Sequence, residues 1–147
     1  MKKIFNGRAI LPGSGQGEAA VSHGGFNTYA SFFTSIHRPS KQAFCADTGN
    51  PELYQMDLSG KIICIPNTTG STSSGAVWQR LTRMGNAPLA VLFSKPIDSL
   101  AAGGLIVADI WAGNRIITID RLGDHFLGAV KSGDNVRIAE DGTVNIE

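Results

Sequence analysis

The sequence predicts a mixed α/β fold: a partly parallel sheet covered by two helices, with β-rich ends that close it into a barrel-like or sandwiched arrangement. Three observations carry this expectation. The short apolar runs "KIICIP" (61–66), "LAVLFS" (89–94), "LIVADI" (105–110) and "NRIITID" (114–120) read as strands buried on both faces. Helical patterns lie between some of these runs. Glycine-punctuated β segments flank the centre at 3–22 and 123–147.

From the start of the chain, "KIFNGRAI" (3–10) predicts a strand, "LPGSGQG" (11–17) a turn and "EAAVS" (18–22) a short strand. "GSGQG" (13–17) looks like part of a dinucleotide fingerprint, but strand-like sequence follows where that motif needs a helix, so it reads as a turn. Residues 23–53 mix aromatic and β-branched residues with Gly, Pro and polar positions. This stretch predicts irregular structure with one strand at 29–36 and then a long exposed loop, a feature that in small domains tends to be functional. Asp47, Asn50 and Glu52 beside Pro51 predict an Asx-type turn. In "SGAVWQRLTRMGNAP" (74–88), Val77, Leu81 and Met84 stand at helical spacing beside Trp78, with Gly85 placed to cap the C-terminus and Pro88 just beyond. "DSLAAGG" (98–104) predicts a short helix capped by Asp98 or Ser99. The final segment predicts short alternating strands, with Asp141-Gly142 as a hairpin turn.

Length and composition narrow the function. A chain of 147 residues fits one domain over 1–147. Only 17% of residues are charged and the formal net charge is +1 with no basic block, which points away from nucleic acid and anionic membranes and suggests a surface partly covered by a partner. No apolar run approaches the ~20 residues that cross a bilayer. Asn6, Gly7 and Arg8 break any signal-peptide core, so a cytoplasmic location is expected. Cys45 and Cys64 have no CxxC spacing and read as free thiols, too few for an iron–sulfur cluster or a structural zinc. His23, His37 and His125 are too widely spaced to suggest a metal triad. Any metal would need ligands from another chain.

The most informative stretch is "IPNTTGSTSSGAVWQRL" (65–81), where a strand passes through a hydroxyl-rich turn into a helix. One hydroxyl is enough to cap a helix, for about 1 kcal/mol. The cluster Ser71, Thr72, Ser73 and Ser74, with Gly70 before it and Gly75 after, exceeds that need. A helix start also offers free N–H groups and a positive dipole end, which can bind an anion or stabilise an alkoxide. The turn is neither a Walker loop nor a GxSxG elbow.

The ordered series "GRAILPGSGQGEAAVS" followed by "DTGNPELYQMDLSGKIICIPNTTGSTSSGAVWQRLTRMGNAPLAVLFSKPIDSLAAGGLIVADIW" resembles the small subunit, or small domain, of aconitase-X-type dehydratases. The family's D-x5-G-x3-A tail is matched by Asp98, Gly104 and Ala108. The resemblance implies a swivelling β/β/α domain that closes over a larger catalytic subunit of a hetero-oligomer. That partner would carry the iron or iron–sulfur cluster, and this chain would be inactive without it. Ser71, directly after the turn glycine, would be the general base, with Gly70, Thr72, Ser73 and Ser74 binding substrate. Where many relatives have a basic residue before that glycine, this sequence has Thr69. The implied reaction is dehydration of a hydroxy acid such as cis-3-hydroxy-L-proline, with mevalonate 5-phosphate as the alternative substrate. A non-catalytic, anion-binding or regulatory swivelling domain is the alternative of another class.

Overall fold

A computed structural model describes residues 2–38 and 40–147. Its ten strands and four helices run in the order β1 (Lys3–Asn6), β2 (Arg8–Leu11), β3 (Gly15–Val21), β4 (Phe26–Asn27), α1 (Thr28–His37), β5 (Ile62–Ile65), β6 (Thr68–Thr69), α2 (Gly75–Met84), β7 (Ala90–Phe93), α3 (Ser99–Ala112), β8 (Ile117–Asp120), α4 (Asp124–Ala129), β9 (Asn135–Ile138) and β10 (Thr143–Ile146). Eight strands form one sheet in the order β1-β10-β9-β3-β5-β7-β8-β2, and β4 and β6 form a small parallel pair. The centre β3-β5-β7-β8 is parallel and all the other pairings of the large sheet are antiparallel. The two edge strands, β1 and β2, are consecutive in the chain and separated only by Gly7, so the sheet curls into a nearly closed barrel. A Cβ at Gly7 would lie 2.6 Å from the Asp120 carbonyl oxygen, so only glycine fits this crossing.

Period-2 alternation along the central strands divides the interior into two cores. Ile62, Cys64, Ala90, Leu92, Ile117 and Ile119 join Phe126 and Val136 inside the barrel. Ile63, Ile65, Val91 and Phe93 face the other way and pack with Phe32, Trp78, Leu81 and Leu105 of the helices. Such strands are apolar on both faces, which is why the runs at 61–66, 89–94 and 114–120 were legible.

The helical centre and barrel-like closure agree with the sequence prediction, but several elements differ from it. The strand expected at 29–36 is helix α1: Asn27 Oδ1 accepts the Ala30 N–H at 3.1 Å, and Thr28, Ser31, Phe32, Ser35 and Ile36 form its buried face at helical spacing. "LIVADI" is not a strand but the second half of α3. There Ala101, Gly104, Leu105 and Ala108 form the buried stripe, while Ile106, Val107, Ile110 and Trp111 are exposed. The short helix expected at 98–104 is thus the first half of a 14-residue one. The turn expected at 13–17 is already strand from Gly15, paired with β9. Helix α4 lies where only strands were expected, and its Phe126 packs edge-on against Phe5 at 5.5 Å. Gly85 does cap α2, with φ +78, and the β9-β10 hairpin forms as expected.

Candidate active site

The loops that leave the C-terminal ends of the parallel strands gather on one edge of the sheet, where ligands bind in open α/β folds. The loop after β5 carries the hydroxyl cluster. Gly70, with φ +104, makes the sharp bend, and a Cβ there would lie 2.7 Å from Asn27 Oδ1. Ser71 then takes an extended conformation and caps a 3-10 turn, Thr72–Ser74, that runs directly into α2. Its Oγ accepts the Ser73 N–H at 3.2 Å and is hydrogen-bonded to the Ser73 hydroxyl at 2.9 Å. Ser71, Thr72 and Ser73 are all exposed.

Ser74 is different. It is buried, and its Oγ has no partner among the described residues, so it does not donate to Ser71. Thr28 Oγ1, at the start of α1, is buried and unpartnered as well. Both residues line a recess of about 190 Å³ together with Gly70, Gly75, Ser99 and Ala101. The first turns of α1, α2 and α3 therefore converge on one small cavity, where their positive dipole ends meet the carboxylate of Asp98, which also lines it.

Two carboxylates fix this arrangement. Asp98 Oδ1 accepts the Thr68 N–H at 3.1 Å and the Thr68 hydroxyl at 2.7 Å, while Oδ2 caps α3 by accepting the Ala101 N–H at 3.0 Å. One side chain thus ties the serine loop to the start of α3. Asp120, buried at the end of β8, accepts two hydrogen bonds from the Arg8 guanidinium at 2.9 and 2.8 Å and the Ile97 N–H at 2.7 Å. Burial pushes its pKa up, but these hydrogen bonds and the charges of Arg8 and Arg121 hold the carboxyl below its ordinary value. Gly104 sets the approach of α3 to α2: a Cβ there would lie 2.4 Å from the Gly75 carbonyl oxygen.

His23, in the loop after β3, pairs with Glu52 at 2.7 Å, and Glu52 also accepts the His23 N–H at 2.8 Å. The hydrogen bond raises the His23 pKa. Asp47 Oδ1 accepts the Gly49 N–H at 2.9 Å, the Asx-type turn expected there. Among the described residues no three His, Cys, Asp or Glu side chains gather to hold a metal. Cys45 and Cys64 are buried free thiols in separate cores, and burial pushes both pKa values up. An iron or iron–sulfur centre does not fit this chain's own residues.

The structure thus brings Ser71 and Ser73 into direct contact and places Gly70 and Ser74 on the recess. Thr72 makes no side-chain hydrogen bond in the cluster. Sequence reasoning missed Thr28, and it took Thr68 only as part of the hydroxyl run, without its tie to Asp98. An Asn-Thr pair opening a helical pattern (27–28) was the available signal for the first; nothing local marks the tie.

Comparison with known proteins places this site in context. The family model of the aconitase X swivel domain matches residues 4–146, and the chain belongs to that family. It is 29% identical over 119 residues to the cis-3-hydroxy-L-proline dehydratase of Pseudomonas aeruginosa, an alignment covering 81% of this chain and 19% of that protein. The chain therefore spans about a fifth of that curated relative. Among solved structures it is similar to a chain of the holo-form aconitase X of Thermococcus kodakaraensis, with TM-score 0.81 and 25% identity, covering 99% of this chain and 98% of that one. A UPF0107 protein solved by solution NMR matches with TM-score 0.77 and 26% identity, covering 99% of each chain.

Proposed function

We propose that this chain is the small, swivelling subunit of a cytoplasmic dehydratase that removes water from a hydroxy acid, and that Ser71 is its general base. The observation that carries the reading is the Ser71 hydroxyl: exposed at a helix start, accepting the Ser73 N–H and hydrogen-bonded to the Ser73 hydroxyl. Family membership and the likeness to a cis-3-hydroxy-L-proline dehydratase support the reaction class.

A serine hydroxyl is too weakly acidic to be an effective base in water. In a site closed by a partner, the Ser73 N–H and hydroxyl would stabilise the Ser71 alkoxide, and the converging helix starts would add a favourable field. Ser71 would take the proton from the carbon next to the substrate carboxylate as hydroxide leaves the neighbouring carbon. Gly70, Thr72 and Ser73 would bind substrate from the exposed side, and Ser74 would act from within the recess. The iron or iron–sulfur centre that the family resemblance implies would belong to the large catalytic subunit. The apolar outer face of α3, with Ile110 and Trp111 exposed, supports a surface that a partner covers.

In a complex reconstituted with that large subunit, Ser71→Ala should lower turnover by roughly 10²–10⁴-fold while leaving assembly intact. Turnover near that of the unmodified complex would remove Ser71 from the base role. Mevalonate 5-phosphate in place of a hydroxyproline is separated by assaying the same complex with each substrate. An anion-binding regulatory domain, the reading that the three converging helix starts alone would favour, requires a partner whose turnover does not need this chain.

A further inference from the structure

The edge that carries Ser71 also carries two cations that the proposed chemistry has not used. Lys95 lies two residues beyond β7, and Arg121 directly follows β8. Strand β7 lies between β8 and β5, and β5 leads into the serine loop. The three loops are joined through the backbone: the Arg121 N–H donates to the Lys95 carbonyl at 3.2 Å, and the Lys95 N–H to the Pro66 carbonyl at 3.4 Å.

Both side chains are exposed, and neither belongs to an ion pair among the described residues. Asp120, the adjacent acid, is buried and hydrogen-bonded by Arg8 and the Ile97 N–H, so Arg121 acts on it only through its charge. Arg121 also has φ +58, one of two non-glycine residues in the left-handed region among those described. A glycine would hold that conformation without strain. Two like charges on adjoining loops repel one another, and an anion bound between them relieves that repulsion.

We propose that Lys95 and Arg121 form a receptor for the oxyanion end of the substrate, carboxylate or phosphate, beside the Ser71 turn. This deepens the dehydratase reading and rests on it for the identity of the ligand, but the receptor itself can be tested without turnover. The ¹⁵N-labelled chain is titrated with sodium phosphate and, separately, with sodium acetate, ionic strength being held constant with sodium chloride. The amide signals of 94–97 and 121–123 should shift saturably with at least one of the two anions. Lys95→Gln and Arg121→Gln should each weaken that binding by about tenfold. Arg83→Gln, the same charge change in the last turn of α2, should leave it unchanged. Arg121→Gly should lose binding like Arg121→Gln while raising the unfolding midpoint. A tighter response to phosphate assigns the receptor to a phosphorylated substrate, and an equal or tighter response to acetate assigns it to the carboxylate.

The absence of saturable shifts at those loops, shifts confined to 70–76, or equal weakening in all three glutamine variants would each overturn the receptor. A complex that stays active with Ser71→Ala removes the base but leaves this binding result standing, so the two failures are distinguishable.

Discussion

At the scale of single residues, Asp98 holds the most together. Its two oxygens cap α3 and bind both the N–H and the hydroxyl of Thr68. Asp98→Ala removes a helix cap and releases the serine loop, and should destabilise the chain by about 2 kcal/mol in denaturant unfolding. Asp98→Asn, which keeps a capping oxygen, should recover about half of that loss. The capping role was legible, since Asp-Ser precedes a helix-forming run. The grip on Thr68 was not, because nothing local in a sequence tells which loop will lie over a given carboxylate. His23 and Glu52 give a second prediction. The hydrogen bond to Glu52 raises the folded-state pKa of His23, so its contribution to stability is present below the ordinary value of 6.5 and is lost as pH rises through the raised one. Glu52 is held below its ordinary 4.5 although burial pushes it up, so its contribution is lost as pH falls through the lowered value. An NMR titration should find His23 above 6.5 and bring it back toward that value in Glu52→Gln. An unchanged His23 titration would dissolve the pair.

Among the elements, the helices show where sequence patterning reaches its limit. Helix α2 was legible because its apolar stripe lies against polar positions such as Gln79, Arg80 and Arg83. Half of α3 was mistaken for a strand because its outer face, Ile106, Val107, Ile110 and Trp111, is as apolar as its inner one, so the 3.6-residue period disappears. Helix α1 was obscured by its aromatic and β-branched residues, which weigh toward strand until burial decides. The exposed face gives a direct test. Replacing Ile110 and Trp111 together by Ser should change the stability of this chain by no more than about 0.5 kcal/mol per site, because neither side chain is in a core. A loss of several kcal/mol would restore the buried strand. The inner face is the opposite case: Gly104→Ala drives a methyl group into the Gly75 carbonyl and should cost about 1–3 kcal/mol, with the start of α2 shifted.

Across the whole molecule, the candidate site is assembled by topology more than by local sequence. The fold class could be read from apolar runs and their order, since strands buried on both faces need partners on both sides. The meeting of three helix starts depends on the parallel order β3-β5-β7-β8, which the chain does not display locally. The Arg8–Asp120 pair joins β2 to β8 and also holds the loop containing Ile97 through its N–H. Removing only the carboxylate, as in Asp120→Ala, should cost roughly 1–3 kcal/mol, chiefly through the lost hydrogen bond to the Ile97 N–H, because Arg8 is half exposed and can return to water. Because the native carboxyl is held below its ordinary value, that contribution is present at neutral pH and is lost as pH falls through the lowered value.

The wall of the barrel is finished by pairing Lys3 with Ile146, the first strand with the last. During synthesis the opening segment must therefore wait, with its backbone N–H and C=O groups unmatched, until β10 has left the ribosome. Maturation should then be gated by emergence of the final hairpin, and a nascent chain stalled before Thr143 should remain sensitive to protease at residues 3–6.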